Sequence, residues 1–197
     1  MRSAPSAARF AAGVVVAPGD AVQATASAMT ATATRRRITA SYHAVVKRVL
    51  ITGMSATGKS TALGELAVRG YKTVDTDYGG WTARVGDEWL WNEERISHLL
   101  STDDADVLFV GGTARNQVKF YGLFDHIVLL SAPVEVMRER LRGRTNNPYG
   151  KDPHELAEVL AFKQTVEPSL RRAADLEVDT SVPLDQVVAR VLSLVLR

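Results

Sequence analysis

The sequence predicts a three-layer α/β domain in which helices cover both faces of a five-stranded parallel sheet. From Val45 onward, short apolar runs alternate with segments of helical periodicity, which is typical of parallel strands joined by crossover helices. A glycine-rich turn joins the first of these strands to a helix, as in phosphate-binding α/β proteins. The chain has 197 residues and a hydrophobic content of 46%, which suffices for one well-buried domain and argues against two.

Five segments are predicted to be strands. The first covers residues 46–52, where Val49, Leu50 and Ile51 form a continuous apolar run that suits a strand buried on both faces. The other four share this short, apolar character and cover residues 72–75, 106–111, 126–131 and 176–178.

Helices are predicted between and after these strands. One begins directly after the glycine-rich turn, over residues 60–67, and Pro133 occupies the favoured first position of another. Asp152 and Glu155 have the spacing of a capping box at the start of a third helix, whose buried side carries Leu156, Val159 and Leu160. The last helix has a core-facing stripe of six apolar residues at helical spacing: Leu184, Val187, Val188, Val191, Leu192 and Val195.

The glycine-rich turn, residues 53–60 with the sequence GMSATGKS, completes the pattern G-x-x-x-x-G-K-[ST] of a phosphate-binding loop. Glycines at both ends let the backbone curl so that its N–H groups point at a polyphosphate, and the helix N-terminus adds partial positive charge. Lys59 is expected to reach the β- and γ-phosphates of ATP, and the Ser60 hydroxyl to ligate Mg²⁺. The predicted nucleotide-binding residues of the loop are Gly53, Ser55, Ala56, Thr57, Gly58, Lys59, Ser60 and Thr61.

The first 44 residues differ in composition from the rest. They contain five arginines and one aspartate, a charge of +4, so the remainder carries −2 of the net +2. The basic balance therefore gives no reason to expect a nucleic-acid partner for the folded part. We expect residues 1–44 to be a disordered extension or to precede the true translation start, with a transit peptide or a weak secretory core near Phe10 as alternatives.

Cysteine is absent from the sequence, and no apolar run approaches the length of a membrane span. The lack of cysteine excludes disulfides, thiolate metal sites and cysteine nucleophiles. We expect a cytoplasmic protein without a membrane partner, and the sequence leaves its oligomeric state open.

From Val46 to the C-terminus, the order of these signals resembles the small P-loop kinases of the nucleoside-monophosphate kinase and shikimate kinase-like type, with gluconate kinase as a relative. In shikimate kinases the strand after the phosphate loop ends in an Asp-x-Asp pair, which here is Asp75-Thr76-Asp77. The resemblance implies that Asp75 holds the hydration shell of Mg²⁺ and that Asp77 binds the acceptor hydroxyl and accepts its proton. A solvated turn is the alternative, since Asp77-Tyr78-Gly79-Gly80 has turn-like composition.

Three arginines also match segments of this family. Gly112-Thr113-Ala114-Arg115 is similar to the Gly-x-x-Arg region that grips an acceptor phosphate in nucleotide kinases, which implies acceptor-binding roles for Gly112 and Arg115. The segment from Arg140 to Arg144 resembles the entry to the lid of adenylate kinases, which implies that Arg140 stacks on adenine and Arg144 neutralises the phosphates. Both would share one helical face, and the lid would cover residues 143–152. Surface arginines are the alternative.

Other features separate the chain from shikimate kinases. Val166 stands two residues before Pro168 where those enzymes have an arginine, and Thr113 replaces the third glycine of their Gly-Gly-Gly loop, so shikimate is disfavoured as the acceptor. Arg95 resembles their acceptor-binding arginine, without its trailing glutamate, and is a further substrate-binding candidate.

A tryptophan cluster lies between the Asp pair and the third strand and is expected to form a hydrophobic cap, with a platform for a flat acceptor as the alternative: Trp81, Trp89 and Trp91.

The leading hypothesis is a kinase that transfers the γ-phosphoryl group of ATP, with Mg²⁺, to a hydroxyl or phosphate of a small metabolite. Its predicted catalytic residues are Lys59, Asp77 and Arg144. A nucleotide-binding regulatory or ATPase protein is the alternative, although the strand over residues 106–111 ends in glycines and lacks the acid of a Walker B hydrolase. A GTPase switch is disfavoured because the sequence contains no Asn-Lys-x-Asp motif.

Overall fold

The computed structural model describes residues 46–86, 88–145 and 148–196, so the expectation for residues 1–44 lies outside the described residues. The main sheet consists of β1 (Lys47–Thr52), β2 (Lys72–Asp75), β5 (Val107–Gly111), β6 (His126–Ser131) and β7 (Leu176–Asp179). Two further strands, β3 (Thr82–Val85) and β4 (Glu88–Trp91), form a separate antiparallel pair. The helices are α1 (Lys59–Val68), α2 (Glu93–Leu100), a 3₁₀ helix (Gln117–Leu123), α3 (Val134–Gly143), α4 (Pro153–Thr165), α5 (Glu167–Ala173) and α6 (Leu184–Val195).

The main sheet is parallel throughout, with the strand order β2-β5-β1-β6-β7. The predicted three-layer fold is confirmed, and the five predicted strands match the observed ones within one residue at each end. Strand β1 is central, with β5 on one side of it and β6 on the other, so the strand order changes direction at β1. A change of direction of this kind opens a crevice at the carboxyl ends of the strands, which is where ligands bind in open α/β sheets.

The sheet buries both faces because its strands are apolar at odd and even positions alike. On one face, Val49 and Ile51 of β1 pack with Phe109 of β5 against α1 and α6. On the other face, Leu50 and Leu108 pack against α2 and the 3₁₀ helix. A third cluster joins Leu129 of β6 to the helices that follow it: Met137 and Leu141 of α3, Val159 of α4 and Leu170 of α5.

Three helix details differ from the sequence predictions. Pro133 is the N-cap of α3 and precedes the first helical position, a difference of one residue that is common at helix ends. Asp152 does cap α4 by accepting from the N–H of His154, but Glu155 accepts from the N–H of Gly150 (2.7 Å) and forms no reciprocal capping box. Leu184 is 36% exposed, because it lies in the first turn of α6, beyond the part of that helix that packs on the sheet.

The antiparallel pair β3–β4 and helix α2 were not predicted, and the contacts of Trp91 show what holds β4 in place. Its side chain is only 2% exposed and meets the ring of Phe120 edge-on. The indole N–H donates to the Thr76 hydroxyl (2.9 Å), and the Asn116 side chain bonds both the N–H and the carbonyl of Trp91. One buried tryptophan therefore fixes β4 against the loops that follow β2 and β5.

Replacing Gly112 by Ala should destabilise the fold. Gly112 has φ of +153°, and a Cβ atom there would lie 1.9 Å from the Thr76 hydroxyl oxygen that holds Trp91. We expect the free energy of unfolding to fall by about 1–3 kcal/mol, measured by chemical denaturation. The matched control is Gly64→Ala in α1, where the described residues leave the added methyl free space and helix propensity favours Ala by up to about 1 kcal/mol. Equal stability of Gly112→Ala and the unaltered protein would contradict the packing argument.

Candidate active site

The phosphate-binding loop connects β1 to α1 and has the backbone shape that its function needs. Gly53 (φ 149°) and Gly58 (φ 91°) have positive φ values, and so does Ala56 (φ 66°), a conformation that non-glycine residues rarely adopt. Left-handed residues of this kind curl the chain into a nest of N–H groups. Gly58 caps α1, whose first turn exposes Ser60 and Thr61 to the cleft described below. The loop is thus shaped to receive an anion.

Thr57 differs from the rest of the loop because it points inward. Its side chain is buried, and its hydroxyl donates to the carbonyl of Met54 (2.8 Å). The Thr57 N–H points at the same carbonyl (3.3 Å). Within the described residues, Thr57 therefore stabilises the loop and does not line the cleft.

Lys59 lies folded back over the loop. Its ammonium donates to the carbonyls of Gly53 (2.8 Å) and Met54 (3.2 Å) and lies 3.7 Å from Oδ2 of Asp77. The side chain is only 8% exposed, whereas that of Asp77 is 43% exposed. A cation from the loop and a carboxylate from the end of β2 thus meet at one point.

Asp75 and Asp77 occupy different positions at this point. Oδ1 of Asp75 accepts from the Asp77 N–H (3.0 Å), so Asp75 shapes the turn that presents Asp77 to the cleft. Partial burial of its carboxyl group raises the pKa of Asp77 above the ordinary value, although the ammonium of Lys59 acts in the opposite direction. The Asp75 carboxylate raises the pKa of Asp77 further, by repulsion. Asp77 therefore accepts a proton more readily than an exposed aspartate does.

Thr113, the residue that departs from the glycine loop of shikimate kinases, bonds directly to the phosphate loop. Its hydroxyl donates to the Gly53 carbonyl (2.7 Å) and accepts from the Gly53 N–H (3.3 Å). The Thr52 hydroxyl lies 3.2 Å away and also reaches Oε1 of Gln117 (3.4 Å). These contacts connect the ends of β1 and β5, and no sequence pattern predicted them.

Thr113→Val should weaken nucleotide binding. The change keeps the shape of the side chain but removes two hydrogen bonds that hold Gly53, each worth about 0.5–1.5 kcal/mol. We expect the dissociation constant of a non-hydrolysable ATP analogue to rise by about 5- to 30-fold, measured by calorimetry. Thr102→Val, which removes a partly buried, hydrogen-bonded hydroxyl remote from the loop, is the control. An unchanged dissociation constant in Thr113→Val would show that the loop holds its shape without Thr113.

Arg140 and Arg144 both reach the phosphate loop, but not from one helical face as expected. Arg140 lies in α3 and donates to the carbonyl of Ala56 (3.2 Å) and to the hydroxyl and carbonyl of Thr180 (2.8 and 2.6 Å). Helix α3 ends at Gly143, so Arg144 is its C-cap in an extended conformation. From there its guanidinium lies 3.5 Å from the Ser55 hydroxyl and bonds the Tyr149 carbonyl. The contact with Thr180 could not be anticipated from sequence.

The guanidinium of Arg144 has spare hydrogen-bonding capacity. Its Nε is buried and has no partner among the described residues. Burial also lowers the pKa of Arg144, although nearby groups that include Asp77 counteract this. Since a buried donor without an acceptor is costly, an anion beside the loop would relieve this group.

The remaining acceptor-binding candidates lie apart from this centre. Arg115 is exposed and forms an ion pair with Glu88 (3.0 Å). Arg95 donates to the carbonyls of Gly79 (2.7 Å) and Gly80 (3.0 Å), and its guanidinium stacks on the Trp81 ring at 3.9 Å. In the described part of the chain, Arg115 lines the cleft, whereas Arg95 and Gly112 do not.

The phosphate loop and the side chains around it line one cleft of about 2040 Å³ at the carboxyl ends of the strands. Its polar lining near the loop includes Lys59, Ser60, Asp77, Thr113 and Arg144. The predicted tryptophan cluster is divided: Trp91 is buried, Trp81 lies under Arg95, and Trp89 is 61% exposed and lines the cleft. The cap interpretation therefore describes Trp91, and Trp89 is available to a ligand.

Residues 46–86, 88–145 and 148–196 contain no cluster of three or more His, Asp or Glu residues that could hold a metal ion. Mg²⁺ usually keeps several waters and binds through one or two protein groups together with substrate phosphates. The exposed Ser60 hydroxyl and the partly exposed Asp75 carboxylate suit such a role. No helix of the described part is long and apolar enough to cross a membrane.

Comparison with models of protein families identifies the family of this chain. A family model described as an AAA domain matches residues 49–161, more than half of the chain, and the chain therefore belongs to that family. Comparison with curated proteins finds no match.

Solved structures share the fold at low sequence identity. Shikimate kinase from Acinetobacter baumannii in complex with shikimate is 19% identical with a TM-score of 0.56, over 78% of this chain and 94% of that one. Shikimate kinase from Bacteroides thetaiotaomicron is 16% identical with a TM-score of 0.53, over 77% and 99%. A gluconokinase from Sinorhizobium meliloti 1021 is 18% identical with a TM-score of 0.50, over 75% and 90%. The expected resemblance to small P-loop kinases of the shikimate kinase-like type is confirmed.

Proposed function

We propose that this chain is an ATP-dependent small-molecule kinase, which transfers the γ-phosphoryl group to a hydroxyl or phosphate of a small metabolite. The observation that carries the proposal is the approach of the Lys59 ammonium to the Asp77 carboxylate, 3.7 Å apart at the base of the cleft. A phosphate-binding cation and a proton acceptor stand side by side where donor and acceptor must meet.

The phosphate loop would hold the nucleotide. Its N–H groups and the N-terminus of α1 would bind the phosphates, and Lys59 would move from the carbonyls of Gly53 and Met54 to the phosphate oxygens. The Arg140 guanidinium bonds Ala56 of the loop and Thr180, and the base of ATP would lie beside it. Mg²⁺, held by Ser60 and through water by Asp75, would neutralise phosphate charge.

Asp77 would position the acceptor hydroxyl and take its proton as the new bond from oxygen to the γ-phosphorus forms. The bond from that phosphorus to the oxygen bridging the β- and γ-phosphates breaks, and ADP carries away the electron pair. Arg144, whose Nε has no partner among the described residues, would donate to the oxygens of the transferring group. The transfer therefore needs positioning and charge neutralisation rather than a covalent intermediate.

The test is a screen of metabolites for ATP-dependent phosphorylation. ADP release is measured with each compound against a blank without acceptor, and mass spectrometry must find the phosphorylated product. The Lys59→Ala protein in the same assay measures contaminating kinases. ATP binding without acceptor-dependent ADP release across a broad panel would favour the alternative, a nucleotide-binding regulatory or ATPase protein.

A further inference from the structure

Exposed apolar surface is concentrated in the cleft. Nine large hydrophobic side chains are strongly exposed in the described part of the chain, and five of them line this one cleft: Tyr78, Trp89, Val118, Phe162 and Leu184. Exposed apolar groups that gather in a concavity mark ligand-binding sites more often than scattered ones do. The positions of these five side chains therefore indicate that the ligand of the cleft has an apolar part.

One wall of the cleft is a face of the β3–β4 pair. Trp89 and Trp91 point to the same face of β4, since they are two residues apart. Trp91 buries that face in the core, whereas Trp89, 61% exposed, continues it into the cleft. Arg84, directly opposite Trp89 in the register, lines the cleft as well. The wall therefore presents an indole ring on a strand that Trp91 anchors to the core.

The 3₁₀ helix extends this wall. Val118 and Tyr121 are three residues apart and so share one side of the helix, and both line the cleft. Val118 is 63% exposed, and the Tyr121 phenol accepts from Gln117 Nε2 (2.9 Å), which fixes its ring. The two hydrogen bonds between the Asn116 side chain and the Trp91 backbone connect this helix to β4.

A further apolar wall comes from α4. Phe162 and Val166 are four residues apart and share a side of the helix, and both line the cleft. Phe162 is 44% exposed. Of the arginines near these walls, Arg115 is already paired with Glu88, and Arg172 donates to the Ser169 hydroxyl. Arg84 also lines the cleft and donates to the Gly86 carbonyl (3.1 Å). These three arginines all have partners within the described residues, so the walls offer a ligand the exposed apolar surfaces of Trp89, Val118 and Phe162 beside paired charges.

From this arrangement we infer that the acceptor is a hydroxyl-bearing compound with a planar ring, which stacks on Trp89 while its hydroxyl reaches Asp77. The inference rests on the proposed kinase function and names its substrate class. An indole face offers a planar molecule a large contact at little entropic cost, whereas a hydrated polyol acid gains little from these walls. Trp89 is therefore a substrate-binding residue.

The test compares planar and non-planar acceptors in the unaltered protein and three variants. Thymidine and 2-phenylethanol are the planar probes, and D-gluconate and shikimate are the non-planar ones. The variants are Trp89→Ala, Trp89→Phe and Val85→Ala. Val85 is the matched control because it is 60% exposed on the opposite face of the β3–β4 pair and does not line the cleft in the described part.

At least one planar probe should release ADP faster than either non-planar probe. Trp89→Ala should raise KM for that planar probe about tenfold and leave KM for ATP unchanged. Trp89→Phe should restore most of the affinity, since it keeps an aromatic face, and Val85→Ala should match the unaltered protein. Planar probes should also quench tryptophan fluorescence in the presence of a non-hydrolysable ATP analogue, and Trp89→Phe should lose this quenching.

Faster ADP release with gluconate or shikimate than with either planar probe would overturn the inference and leave the kinase function standing. An unchanged KM in Trp89→Ala would do the same. If neither planar probe releases ADP or quenches fluorescence, the inference is also overturned. The proposed function itself fails only if ATP binds and no compound of the wider metabolite screen is phosphorylated.

Discussion

Replacing Lys59 by Ala is expected to reduce phosphoryl transfer by at least about 10²-fold, the scale seen when one preorganised donor to a developing charge is removed. The ammonium lies within 3.2 Å of two loop carbonyls and 3.7 Å from the Asp77 carboxylate, so it stands at the point where the loop meets the proposed proton acceptor. Steady-state ADP release with a confirmed acceptor gives the turnover number, and calorimetry gives the affinity for ATP, which should also fall.

The fold should survive this change. Among the described residues, Lys59 bonds main-chain carbonyls of its own loop, and its other partner, Asp77, is itself partly exposed. Lys72→Ala is the matched control, because Lys72 pairs with the surface carboxylate of Asp104 and lies outside the cleft. Lys72→Ala should keep full turnover. Full turnover in Lys59→Ala with a normal melting temperature would mean that the loop does not bind the transferring phosphates.

The strands and the phosphate loop were predictable because their determinants are local. A run such as Val49-Leu50-Ile51 is apolar on both faces of a strand, and this identifies a central strand without knowledge of its neighbours. The loop pattern likewise fixes its own backbone, since Gly53 and Gly58 occupy the positive φ values that the turn requires. Each prediction used only residues adjacent in sequence.

The contacts that complete the site join residues remote in sequence, and these could not be predicted. Thr113 bonds Gly53 across 60 positions, and Arg140 bonds Thr180 across 40. Trp91 and Trp89 have the same residue type and differ by two positions, yet one is buried and the other lines the cleft. What separates them is whether a partner from another part of the chain, here Thr76 and Phe120, covers the side chain.

The Asp77→Asn protein is expected to be more stable than the unaltered one near neutral pH. Burial raises the pKa of Asp77 in the folded protein above its value in the unfolded chain, so burial outweighs the attraction of Lys59. Ionised Asp77 therefore destabilises the fold at pH values above the raised pKa, and the neutral amide removes this effect. The gain in melting temperature should shrink as the pH falls through the raised pKa and vanish below the ordinary one.

Asp104→Asn is the control for this measurement because folding lowers the pKa of Asp104, whereas it raises that of Asp77. The hydrogen bond from Lys72 lowers the pKa of Asp104, so its ionised form is the one favoured by folding, and the amide should give no gain in melting temperature. If Asp77→Asn lowered the melting temperature at neutral pH, the ion pair with Lys59 would outweigh burial, contrary to the argument above.

The same Asp77→Asn change should reduce the turnover number by about 10²-fold or more, the scale of a lost general base, with little change in the affinity for ATP. In the unaltered protein, kcat/KM should decline on the acidic side at a higher pH than an ordinary aspartate would give, because the carboxylate is the proposed active form and its pKa is raised. A stable variant that binds ATP but no longer transfers phosphate would separate catalysis from folding at one residue. Transfer at the full rate would make Asp77 a turn residue, and the proton acceptor would then have to be sought at Asp75.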